Sequence, residues 1–92
     1  MDKRLERTVV QHLKKQGAKS IAVFGSFARD EQKKGSDLDI LVEFKEIKSL
    51  LEMSRIEREL SKKAGIKVDL LTKKGISPLI YSHIKKDLKV IL

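Results

Sequence analysis

The chain has 92 residues, no cysteine and a net charge of +8, from 21 Lys and Arg against 13 Asp and Glu. A chain of this size buries only about two-thirds of its unfolded surface, so residues 1–92 are expected to form one small domain, with one sheet and its helices and no second lobe. Disulfides and thiolate metal sites are excluded, and no apolar run approaches the ~20 residues of a membrane span. The charged start (Asp2, Lys3, Arg4, Glu6, Arg7) is unlike a secretory signal, and a cytoplasmic protein with no membrane contact is the expectation. The positive excess favours polyanions: nucleotides, nucleic acid or an acidic partner. It is a weak pointer to nucleic acid, because the lysines come as scattered pairs, as on an ordinary solvated surface, and four aromatic residues leave little for base stacking.

Residues 2 to about 16 read as a helix, with Leu5, Val9 and Leu13 on one stripe and Val10 beside it. Gly17 stands where a left-handed cap is wanted. Residues 20–24 form a short strand, apolar on both faces and therefore central. Gly25-Ser26 is a turn, Phe27 to about Gln32 a short helix, and Lys33 to Ser36 a polar loop. Asp37 to Phe44 alternates with period two. Leu38, Ile40, Val42 and Phe44 take the helix-packed face, and Asp37, Asp39, Leu41 and Glu43 take the open one.

Ser49 and Glu52 form a capping box for a helix with Met53, Ile56, Leu60 and Ala64 inward, stopped by Gly65. Lys67 to Thr72 is a third strand, with Val68 and Leu70 on one face and Asp69 and Leu71 on the other. Ser77 and Pro78 start a last helix, expected to turn Leu79, Ile80 and Ile84 inward, with Leu88 beyond. Val90 to Leu92 either add a terminal strand or cover the core. The order α-β-α-β-α-β-α predicts an α/β fold of the α+β two-layer kind, a small mixed sheet with helices mainly on one face.

Asp37 and Asp39, at i and i+2 of a strand, lie ~7 Å apart and point the same way. Such a pair can hold two Mg²⁺ ions ~4 Å apart, or can simply be two solvated aspartates at a strand start. Asp69 favours the first reading. By parity it joins the same open face, and a charge between Val68 and Leu70 is awkward unless paired or metal-bound. It can serve as a ligand or as the base for an acceptor hydroxyl. Gly25-Ser26, after a strand and before a helix, suits phosphate, and Arg29 one turn on can reach a phosphate. His12 and His83 are read as surface or helix-packing residues, and Tyr81 as half-buried. Ser26 has no evident base and is not a nucleophile.

Gly25-Ser26, Arg29, Ser36-Asp37-Leu38-Asp39 and Val68-Asp69-Leu70-Leu71 together resemble the minimal nucleotidyltransferases of the DNA polymerase beta-like superfamily. That family's pattern is Gly-Ser, a spacer, Asp-x-Asp and a third aspartate on a later strand, and all three carboxylate positions are filled. The resemblance covers nearly the whole chain. It implies a palm that binds ATP with two Mg²⁺ and transfers AMP to a hydroxyl. Gly25 and Ser26, with Arg29 and Ser36, would hold the nucleotide. Asp37, Asp39 and Asp69 would be the catalytic and metal-binding residues, Asp69 also activating the acceptor. The chain is similar to the antitoxin half of toxin–antitoxin pairs, whose partner is a HEPN-domain ribonuclease toxin silenced by AMP on a tyrosine.

With no second domain expected to grip an acceptor, the hydroxyl must come from a partner protein or a second copy of the chain. The alternatives are a contact-only antitoxin, or a palm subunit modifying a small molecule or RNA.

Overall fold

The computed structural model describes all 92 residues. Asp2 accepts a hydrogen bond from the Arg4 amide at 2.7 Å and so starts α1 (Lys3–Lys15). Gly17 at φ +92° then turns the chain into β1 (Ala18–Phe24). The expected helix after Gly25 does not form. The chain makes a single 3₁₀ turn, Gly25–Phe27, in which the amides of Ala28 and Arg29 both return to the Gly25 carbonyl. Asp30, at φ 57°, then breaks any continuation.

A polar loop leads to β2 (Leu38–Phe44), and the Ser49–Glu52 capping box, closed in both directions, starts α2 (Leu50–Ala64). Gly65 ends α2 in the left-handed conformation, and β3 (Val68–Thr72) follows. Ser77 and Pro78 begin α3 (Pro78–Ile84) as the sequence requires. A 3₁₀ turn, Lys85–Asp87, leads to β4 (Lys89–Val90).

The sheet order is β3-β2-β1-β4, which puts β1 inside the sheet as its two apolar faces demand. β1 is antiparallel to β2 and to β4, whereas β2 and β3 are parallel and need the crossover that α2 supplies. Ile21, Val23, Leu38, Ile40, Val42, Val68 and Leu70 face the two long helices and enclose the core with Val9 and Leu13 of α1 and Ile56 and Leu60 of α2. Edge strand β3 is held by α2 as well as by β2. The Val68 amide donates to the Ser61 hydroxyl at 3.0 Å, and the Leu70 amide to the Glu57 carboxylate at 2.8 Å. These bonds fix the strand that carries Asp69.

The C-terminus does both things that the sequence left open. β4 pairs with Ala22 and Val23, while Ile91 and Leu92 bond to the backbone of Ile21 and pack against the core. α3 departs from expectation. Leu79 and Ile80 are 71 % and 48 % exposed, because this seven-residue helix packs chiefly on the 3₁₀ turn after it rather than across the sheet. Tyr81 is half-buried and His83 exposed. His12 is buried between α1 and α2, with Nδ1 3.2 Å from the Lys63 ammonium.

Candidate active site

The register of the central strands determines which side chains meet. Asp39 of β2 lies opposite Phe24 at the end of β1 on one side and opposite Asp69 of β3 on the other. Leu38 opposite Val68 turns inward, so Asp39 and Asp69 share the face away from the helices. Asp37 immediately precedes β2, half-buried like the other two aspartates, and its carboxylate lies 3.7 Å from the Lys67 ammonium. Gly25 closes the site from the side of β1. It adopts φ +74°, and a side chain there would collide with the Asp39 carboxylate. The turn between Phe24 and Ser26 therefore needs glycine for both its conformation and its clearance.

Three carboxylates on one face repel one another. The Asp39 carboxyl is pushed above its ordinary value, first by burial and then by Asp69 and Asp37, with Arg29 pulling weakly the other way. Lys67 is the nearest paired cation, and it sits on Asp37. Arg29 is committed elsewhere: it bonds Glu31 at 2.8 Å and Asp87 at 2.7 Å, tying the turn after β1 to the C-terminal 3₁₀ turn. The Ser36 hydroxyl accepts from the Lys33 amide at 2.8 Å and closes the loop that delivers Asp37. Gly25, Ser26, Asp37, Asp39 and Asp69 thus gather at one end of the sheet. Arg29 flanks them through ion pairs of its own, and Ser36 shapes the loop.

The nucleotidyltransferase domain family matches residues 3–91. The chain belongs to this family. A relative from Methanocaldococcus jannaschii named "Putative protein adenylyltransferase" is 46 % identical over 83 residues, 90 % of this chain and 89 % of the relative. Protein adenylyltransferase MntA of Thermococcus cleftensis is 41 % identical over 71 residues, 77 % of this chain and 72 % of the relative. Among solved structures, a toxin–antitoxin complex with AMP-PNP superposes with a TM-score of 0.88 at 20 % identity, over 95 % of this chain and 72 % of the other. The MNT antitoxin bound to a tri-AMPylated HEPN toxin of Shewanella oneidensis superposes with a TM-score of 0.83 at 18 % identity, over 100 % of this chain and 72 % of the other. These two structures share the fold.

Nucleotidyltransferase domains generally work with a divalent metal ion. The donor chemistry here suits one: three carboxylates are hard oxygen ligands, and the repulsion from Asp69 and Asp37 that adds to burial in raising Asp39 is what a cation relieves. They do not form a ready-made cage, since no three acidic or imidazole side chains converge closely enough to hold an ion. A cation on this face would compete with Lys67 for the Asp37 carboxylate.

The sequence reading overlooked three residues of this region. Lys67 stands two positions before Asp69 and shares its face by parity, a signal that was present in the sequence. Asp87 and Glu31, which hold Arg29, gave no such signal; Asp87 is 58 residues away along the chain. No helix is long and apolar enough to cross a membrane.

Proposed function

We propose that this nucleotidyltransferase, working in the cytoplasm as a single unit over residues 1–92, transfers AMP from ATP to a hydroxyl of a partner protein, and that the partner is a HEPN-domain toxin. The observation that carries the proposal is the register of Asp39 beside Asp69, with Asp37 at the head of the same strand. The names of the relatives and the contents of the toxin–antitoxin complexes supply the acceptor class.

In this reading Asp37, Asp39 and Asp69 hold two Mg²⁺ ions. The ions supply positive charge against the triphosphate and the developing charge at phosphorus. Gly25 and Ser26 present backbone and hydroxyl to the phosphates from a turn with no side chain in the way. Arg29 reaches the phosphates by exchanging Glu31 or Asp87 for them, and Ser36 keeps Asp37 in place. Asp69 accepts the proton of the acceptor hydroxyl. The hydroxyl oxygen bonds to the α-phosphorus, the bond from that phosphorus to the β-bridging oxygen breaks, and pyrophosphate leaves.

A contact-only antitoxin would gain nothing from gathering three carboxylates at one end of the sheet, so the enzymatic reading is preferred. Calorimetric titration of ATP with magnesium is the test, on wild type and on Asp37→Ala/Asp39→Ala. Binding that needs magnesium and vanishes in the variant is expected. Binding of equal strength to the variant would remove the carboxylates from the site.

A further inference from the structure

β2 carries Asp39 near its start and ends in a second feature at its far end. Phe44 lies five positions after Asp39, about 17 Å along a strand. At that far end a cleft of about 310 Å³ opens between the start of β1, the end of β2 with the loop after it, and the turn after β3. Five lysines line it: Lys19, Lys45, Lys48, Lys73 and Lys74. Two carboxylates accompany them, Glu43 and Glu46, and Glu43 is paired with Lys19 at 3.8 Å. The ion pairs of the structure leave Lys45, Lys48, Lys73 and Lys74 without a carboxylate partner. Lys48 instead lies over the Phe44 ring, 5.5 Å from its centre. The opposite pole collects Asp37, Asp39, Asp69 and the carboxylates around Arg29, whereas the cleft carries five lysines against two carboxylates.

We propose that this cleft binds the phosphodiester backbone of a single-stranded nucleic acid, at a site separate from the carboxylate face. The cations are all lysine, which attracts phosphate as a point charge, whereas protein–protein interfaces are enriched in arginine and depleted in lysine. Ile47, 85 % exposed at the rim of the cleft, offers an apolar edge to a base. Four unpaired lysines set the scale of the salt dependence. At about 0.7 per phosphate contacted, the slope of log K on log salt is about −3, a weakening of roughly 50-fold between about 50 and 200 mM salt.

The test is fluorescence anisotropy of a short labelled RNA and of the matching single-stranded DNA with three proteins. The first is wild type. The second is Lys73→Ala/Lys74→Ala. The third is Lys85→Ala/Lys86→Ala, which removes the same charge from the 3₁₀ turn near the other pole. Wild type is expected to bind both oligonucleotides. The cleft variant should lose at least about tenfold in affinity and flatten the slope by about 1.4, two contacts' worth, while the control variant keeps the wild-type slope.

Equal weakening in both variants would reduce the effect to net charge and overturn the proposal. So would the absence of binding at low salt, or binding of anionic vesicles through these lysines in place of nucleic acid. The lysine substitutions are all at exposed positions, and matched unfolding temperatures verify the fold. Asp37→Asn/Asp39→Asn should bind the oligonucleotides at least as well as wild type, so this site can fail or survive independently of nucleotidyl transfer.

Discussion

Asp39→Asn is expected to stabilise the metal-free protein and to abolish its response to magnesium. Asp39 and Asp69 face each other on adjacent strands, which places the two carboxylates about 5 Å apart. Their repulsion is about 0.8 kcal/mol at the dielectric of water and several times that in a drier site. Both groups are half-exposed, so the lower end applies, at about 1 kcal/mol. The sign follows from the raised carboxyl. A carboxylate whose folded value exceeds its unfolded value stabilises the fold only while protonated, and above that range its charge is a cost that asparagine does not carry.

For a domain of this size, about 1 kcal/mol raises the melting temperature by about 4–8 °C. Magnesium at about ten times its Kd should stabilise wild type by about 1.4 kcal/mol, a comparable rise. Thermal unfolding of both proteins with and without magnesium chloride, and without nucleotide, reads all four values. A lower melting temperature for the metal-free variant, or an equal magnesium shift in the two proteins, would refute the reasoning.

Gly25→Ala should abolish magnesium-dependent ATP binding and lower stability by about 1–2 kcal/mol, because it places a side chain in the left-handed region and against the Asp39 carboxylate; wild-type binding by calorimetry would contradict this. Leu60→Ala, at a fully buried position between α2 and the sheet, should cost about 2–5 kcal/mol in denaturant unfolding. His12 is held below its ordinary 6.5 by burial and by Lys63, with Lys15 adding to that effect and Glu59 opposing it. Stability should therefore fall as pH drops below 6.5 toward the folded value, since the unfolded chain binds the proton first. His12→Gln should remove that slope from the pH profile of unfolding, and an unchanged slope would place its origin elsewhere.

Much of this was legible in the sequence because strand parity is strict. The alternation from Asp37 to Phe44 put Asp39 on the open face, Val68 and Leu70 assigned Asp69 to the same face, and the structure sets the two aspartates side by side. Caps were legible for a similar reason. Ser49 with Glu52, Gly65, and Ser77 with Pro78 satisfy backbone groups locally, and each does so in the fold. Contacts made only by the folded chain were not legible. Arg29 looked free to meet a phosphate until the C-terminal turn brought Asp87 to it.

The 3₁₀ turn at Gly25 replaced a helix because Asp30, in the left-handed region, ends it and meets the N-terminal ammonium of Met1 at 3.3 Å. Leu79 and Ile80 have a periodicity that suits burial, but a seven-residue helix on the rim of a small sheet has little to bury them against. The lysines that looked scattered, Lys45 and Lys48 with Lys73 and Lys74, meet only because β2 and β3 run parallel and end together.

The central claim is adenylyl transfer to a protein hydroxyl, and its most direct measurement is label transfer. The purified chain is added to a lysate of its source organism with magnesium and ATP labelled at the α-phosphate. Wild type should place label on a discrete protein band that resists denaturation, and Asp37→Asn/Asp39→Asn should place none. Label on no protein, or the same band with both, would contradict the account.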